Sequence, residues 1–106
     1  MKIPSDIKYV TLIRTLVAAR RQLLKMVLQM ANQIRGLMKT FGLVVPKGMG
    51  RIFDHHVRSL LASHAGLERI ILPLLEAWRD MRAQTAKLSR QVVVMAREGS
   101  VRGTCA

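Results

Sequence analysis

Leu67, Ile71, Leu74, Trp78, Met81, Thr85, Leu88, Val92 and Met95 follow one another at alternating steps of four and three, without a fault. In an α-helix that spacing gathers all of them on one stripe, the seam of a coiled coil. The first half of the chain carries a comparable pattern. Leu12, Leu16, Ala19, Leu23, Met26 and Met30 are spaced four, three, four, three, four. After Met30 this seam steps by four twice, through Ile34, and continues to Leu37 and Phe41. Such a phase shift predicts a local unwinding of the coil. Two seams on one chain predict an all-α fold: a long antiparallel helical hairpin or coiled coil with a short intervening helix. Composition agrees, because half the residues are hydrophobic while Tyr9, Phe41, Phe53 and Trp78 are the only aromatics. Leu, Met, Ala and Val without aromatics suit helices packed on helices.

The punctuation between the seams sets the element boundaries. Pro4-Ser5-Asp6 reads as a helix start, with Ser5 or Asp6 as the cap, and predicts a helix over about 7–41. Gly42, Pro46, Gly48 and Gly50 make 42–50 a loop, with Leu43-Val44-Val45 tucked against the core. A second helix is expected over about 51–64, turning Phe53, Val57, Leu60 and Leu61 inward, and Gly66 breaks it. The last helix covers about 67–97, and Pro73 either moves its start to near Leu72 or kinks it. Gly99 and Gly103 suggest a disordered tail over 98–106. The whole chain, 1–106, reads as one helical segment whose first helix is roughly 50 Å long. A hairpin of that length cannot cover its own core. Val10, Val17, Val27, Met38, Leu75 and Val93 are left over, and predict a second chain or a missing domain packed on them. A homo-oligomer held through the heptad seams is the expected arrangement.

Charge narrows the partner. The formal net charge is +12, and between Asp6 and Asp54 there is no carboxylate. Residues 1–50 hold nine Lys/Arg against one acid, and residues 51–106 nine against five. On the first helix Arg14, Arg21 and Arg35 share a seven-residue spacing, as do Lys25, Asn32 and Lys39, so both rows lie on one narrow face. Solvated helix faces usually mix acids with bases at i,i+4. A basic face without acids costs self-repulsion and points to a polyanion. Contacts from such a face reach phosphates, giving affinity and register rather than sequence reading. Scarce aromatics weigh against base stacking.

Chemistry is hard to find. His55, His56 and His64 have no carboxylate or cysteine at ligand spacing, so no metal and no cofactor is expected. Glu76 and Asp80 share a face, but Arg79 and Arg82 flank them, and salt bridges to the basic first helix are the expected use. No serine stands in a nucleophile elbow, and Gly48-Met49-Gly50 is too short to cradle phosphate. No apolar run approaches the ~20 residues a bilayer span needs, and the N-terminus does not resemble a signal peptide. Cys105 is the lone cysteine, which fits a reducing, cytoplasmic setting.

The run Arg14-x-Leu16-x-x-Ala19-Arg20-x-x-Leu23, followed by Asn32-x-Ile34-Arg35-Gly36-Leu37-x-Lys39-x-Phe41-Gly42, resembles the central region of transposases of the insertion sequence 110 family. The likeness covers roughly residues 6–98, and the second stretch is its specific part. In that family the segment joins an RNase-H-like domain with four metal-binding acids to a domain with a catalytic serine. Those enzymes cut and rejoin DNA as oligomers, guided by a structured RNA. The resemblance implies a truncated connecting segment of a transposase, a mobile-element protein, catalytically inactive by itself. It would oligomerise and contact DNA or the structured guide RNA, with Arg35 and Lys39 inside the matching stretch and Arg14 and Arg20 in the upstream pattern; the basic face gives Arg14, Arg21, Lys25, Asn32, Arg35 and Lys39 as the expected contacts. The alternatives are a basic amphipathic protein on anionic membrane surfaces or a non-functional remnant.

Overall fold

A computed structural model describes the backbone of residues 5–105 and the side chains of residues 8–97. It contains three helices, α1 (Ser5–Thr40), α2 (Arg51–Leu61) and α3 (Ala65–Cys105), and no strand among the described residues. The chain divides into two compact units, one built from Met1–Lys25 with Met81–Ala106 and the other from Met26–Asp80. In each, a segment of α1 packs on a segment of α3, so the fold is the expected all-α hairpin. The cap at Ser5 or Asp6 lies outside the residues described in side-chain detail, and the backbone expected to be disordered from 98 continues as helix to Cys105.

The unit formed by Met26–Asp80 holds the core. Ile34 and Met38 of α1, Val45 of the loop, Phe53, Val57 and Leu61 of α2, and Leu67, Ile71, Leu75 and Trp78 of α3 are all buried in one cluster. Three helical segments and a loop can enclose side chains from every direction, which two helices cannot. Met38 and Leu75, expected to be left for a partner, are instead fully buried here. Phe53 and Trp78 stack at a tilt with ring centroids 4.9 Å apart. On α2 the inward residues are those expected, at the i, i+4, i+8 spacing of one helix face. The helix stops at Leu61, before His64, whose backbone N–H donates to the Leu61 carbonyl at 2.9 Å.

α1 closes with a Schellman turn. The Gly42 N–H donates to the Lys39 carbonyl at 2.9 Å and the Leu43 N–H to the Met38 carbonyl at 3.0 Å. The motif requires a left-handed residue between them, and Gly42 supplies it with φ 77°. Past this turn the three-residue apolar run splits. Val45 is buried and Leu43 half-buried, but Val44 is 72% exposed, contrary to the expectation that all three tuck inward. Phe41, placed on the seam by spacing, is 60% exposed because the chain is already leaving the helix there.

The other unit is a pair of helices only. Its seam consists of Ile13, Leu16, Arg20 and Leu23 on α1 against Met81, Thr85, Leu88, Val92 and Met95 on α3. Among the described residues no apolar side chain of this unit is buried; Thr85 is, and its hydroxyl donates to the Met81 carbonyl at 2.7 Å. Two helices side by side cover one stripe each and leave the flanks of that stripe wet.

The α3 seam is covered at its expected residues, except that Leu75 is fully buried where Leu74 is expected and Leu74 is half-buried, and Pro73 sits within a helix that already begins at Ala65. The α1 seam does not match. Leu12, Ala19 and Met26 are exposed, and Ile13, Arg20 and Val27 occupy the inward positions beside Leu16, Leu23 and Met30. Shifted by that one residue, the inward row runs Tyr9, Ile13, Leu16, Arg20, Leu23, Val27, Met30, Ile34, Leu37 with steps of four and three throughout. The expected phase shift is therefore absent.

Candidate nucleic-acid interface

Five of the six residues expected to meet nucleic acid are exposed on α1: Arg14, Arg21, Lys25, Asn32 and Lys39. At about 100° per residue they fall within roughly 40° of the helix circumference, on the side away from the inward row. No acidic residue occurs on α1 after Asp6. Val10, Leu24 and Leu28 border the stripe and are also exposed.

Arg35 has a different task. One terminal nitrogen of its guanidinium donates to the carbonyls of Val45 and Pro46 at 3.0 and 3.2 Å, and the other to that of Gly48 at 3.0 Å. The same group lies 4.9 Å from the centre of the Phe53 ring. A planar fork meets three loop carbonyls and an aromatic face at once. These are groups a loop without strand or helix partners must otherwise leave to water. Arg35 thus ties α1 to the loop and α2, and is reassigned from the basic face to the fold. Gly48 lets the loop lie close against α2, since a Cβ there would lie 2.6 Å from Ile52 Cγ2. Arg20 is likewise engaged, its Nε donating to Ser89 Oγ at 2.7 Å.

The remaining candidates separate in the structure. His64 stands beyond the end of α2, with Nδ1 3.2 Å from the Leu60 carbonyl oxygen, so it shares no helix with His56. Among the described residues no three His, Cys, Asp or Glu converge on a common point. Glu76 and Asp80 are exposed, and Arg58 pairs with Asp54 at 3.1 Å within α2. Around the α1–α2 connection, Phe41, Val44, Met49 and Ile52 are exposed beside Lys39, Lys47 and Arg51.

The charge is sorted by unit rather than by sequence half. The pair of helices (1–25 and 81–106) carries eleven Lys/Arg against two acids, +9, whereas Met26–Asp80 carries seven against four, +3. Counting by halves hides this, because the basic ends of α1 and α3 fall in different halves. An acid-free run from Met81 to Arg97 on α3 is the sequence signal that would have revealed it. No helix among the described residues is long and apolar enough to cross a membrane. Compared with protein-family models, curated proteins and solved structures, the chain matches none.

Proposed function

We propose that the chain is a coiled-coil connecting segment of a DNA transposase, which holds nucleic acid and oligomerises while the chemistry is done by other domains. The observation that carries the binding part is the α1 stripe: four cations within a narrow arc, exposed, with no acid on the helix after Asp6. A row of cations without partners stores repulsion that phosphate relieves, and releases counterions on doing so. The parentage rests on the resemblance through residues 32–42. Oligomerisation is supported by Val10, Val17 and Leu24, which recur every seven residues beside the stripe and are only partly covered.

The test is fluorescence anisotropy with duplex DNA and with a structured RNA across a salt series. Wild-type affinity should fall steeply with salt, with a log–log slope of about −4 if roughly four or five phosphates are met. R14E/R21E/K25E/K39E should abolish binding. Unchanged affinity in that variant would sink the basic stripe as the contact.

A second reading, contact with an anionic membrane, is favoured by the exposed Phe41, Val44, Met49 and Ile52 beside three cations. Flotation with phosphatidylserine vesicles, with duplex DNA as competitor, separates the two: DNA that fails to strip the protein from vesicles favours the membrane.

A further inference from the structure

The basic stripe meets phosphate and leaves the apolar end of Met26–Asp80 without a use. Resting on the nucleic-acid reading, we infer that Phe41, Val44, Met49 and Ile52 form a wedge for unpaired or poorly stacked bases, which makes distorted nucleic acid the preferred ligand over plain duplex. Met49, Val44 and Phe41 are the three most exposed large apolar side chains among the described residues, at 74%, 72% and 60%, and Ile52 adds 57%. The end of α1 gathers them. The Schellman turn sets Phe41 just beyond Lys39. Arg35 stands one turn before Lys39 on the same side of the helix. Its guanidinium holds the carbonyls of Val45, Pro46 and Gly48, so Val44 and Met49 flank the two ends of one clamped segment. Gly48 in turn lies against Ile52, too close for a Cβ, which brings Ile52 to the Met49 end.

The charges beside these side chains select the occupant. Lys39, Lys47 and Arg51 are exposed among them, no carboxylate occurs between Asp6 and Asp54, and Asp54 is paired with Arg58. Lys39 is also the last cation of the α1 stripe, so a phosphodiester backbone that follows the stripe arrives at the apolar group. The apolar part of such a ligand is its bases. Phe, Ile and Met pushed between base steps unstack them, and this costs least where the bases are already mismatched or unpaired. A wedge needs bulk rather than a row of aromatic platforms, so one phenylalanine is enough. Held by the Arg35 fork and the Schellman turn, the loop enters the contact with its shape already set and gives up little conformational freedom.

The experiment compares a DNA duplex of about 20 base pairs with the same duplex carrying a short mismatched run, using the full chain at about 100 mM salt. Wild-type protein should bind the mismatched probe roughly tenfold more tightly. M49S should reduce that preference, and F41S/M49S/I52S should bring it to within about twofold of none. Affinity for plain duplex and its salt slope should stay at the wild-type value in both variants, because no phosphate contact is lost. All the replaced side chains are exposed, and circular dichroism matching wild type establishes that both variants fold. Equal wild-type affinity for the two probes, or a preference that survives in the triple variant, overturns the wedge; loss of duplex binding in R14E/R21E/K25E/K39E then leaves the first proposal standing. Phosphatidylserine vesicles are the third probe. Flotation of wild type in the presence of duplex, lost in the triple variant while the mismatch preference stays, assigns the apolar group to a membrane and also overturns the wedge. Wild-type protein that binds neither DNA overturns both proposals.

Discussion

A single arginine separates the two jobs that Arg and Lys do in this chain. Arg35 shares its seven-residue spacing with Arg14 and Arg21, yet its guanidinium is satisfied by the carbonyls of Val45, Pro46 and Gly48 and lies against Phe53. Spacing reports direction on a helix and says nothing about what folds back onto it, so sequence alone could not tell Arg35 from its neighbours. The stretch from Asn32 to Gly42 takes on a physical meaning. Ile34 is core, Arg35 clamps the loop and Gly42 ends the helix, leaving Asn32 and Lys39 as its exposed polar members. That stretch is largely an instruction for turning the chain. Replacing Arg35 by Lys keeps the charge and removes the fork, so it should destabilise the protein by about 2–3 kcal/mol through the lost carbonyl bonds and ring contact. Denaturant unfolding measures the loss. Nucleic-acid affinity of the folded R35K protein should be unchanged, and a large drop would return Arg35 to the interface.

At the scale of elements, α3 was more legible than α1, for a reason visible in their residues. On α3 no seam position from Trp78 to Leu88 has a large apolar neighbour, so one stripe stands out there, whereas the adjacent Leu74 and Leu75 compete and Leu75 is the one fully buried. On α1 apolar residues come in adjacent pairs, Leu12-Ile13, Leu23-Leu24 and Met26-Val27, and two neighbouring stripes compete. Apolarity prefers Ala19 to Arg20 as the inward residue, but a long arginine can lay its stem along the seam and reach a polar partner at the rim. Ser89 is that partner. Pro73 is the other anomaly at this scale. It lies inside α3 on an exposed face, where its ring removes the N–H that would meet the Arg69 carbonyl and leaves that carbonyl to solvent. Leu72 and Leu74 beside it are half-buried, so the helix is held through Pro73 by packing rather than by propensity. Pro73→Ala should therefore stabilise the protein, by about 1–3 kcal/mol. A thermal melt checks it, and an unchanged or lower midpoint would mean that the proline relieves some strain in the first two turns.

The whole molecule divides stability from charge. Met26–Asp80 owns every fully buried apolar side chain among the described residues and nearly balances its charges. The other unit has a half-buried seam and +9, so burial there is weakest where repulsion is strongest. Local opening follows burial, and like charges on paired helices raise its likelihood further. Amide hydrogen exchange should consequently rank the two units. Amides near Ile34–Met38 and Ile71–Trp78 should exchange with the slowest, global rate, while those around Ile13–Leu23 and Thr85–Val92 should exchange sooner, through opening of the helix pair. A polyanion that binds the basic unit stabilises its closed form by mass action. Adding duplex DNA should slow exchange around Ile13–Leu23 and Thr85–Val92 together, since the two segments close as a pair, and leave the slowest amides nearly unchanged. Protection confined to the α1 segment would show that the helices of the basic unit open independently.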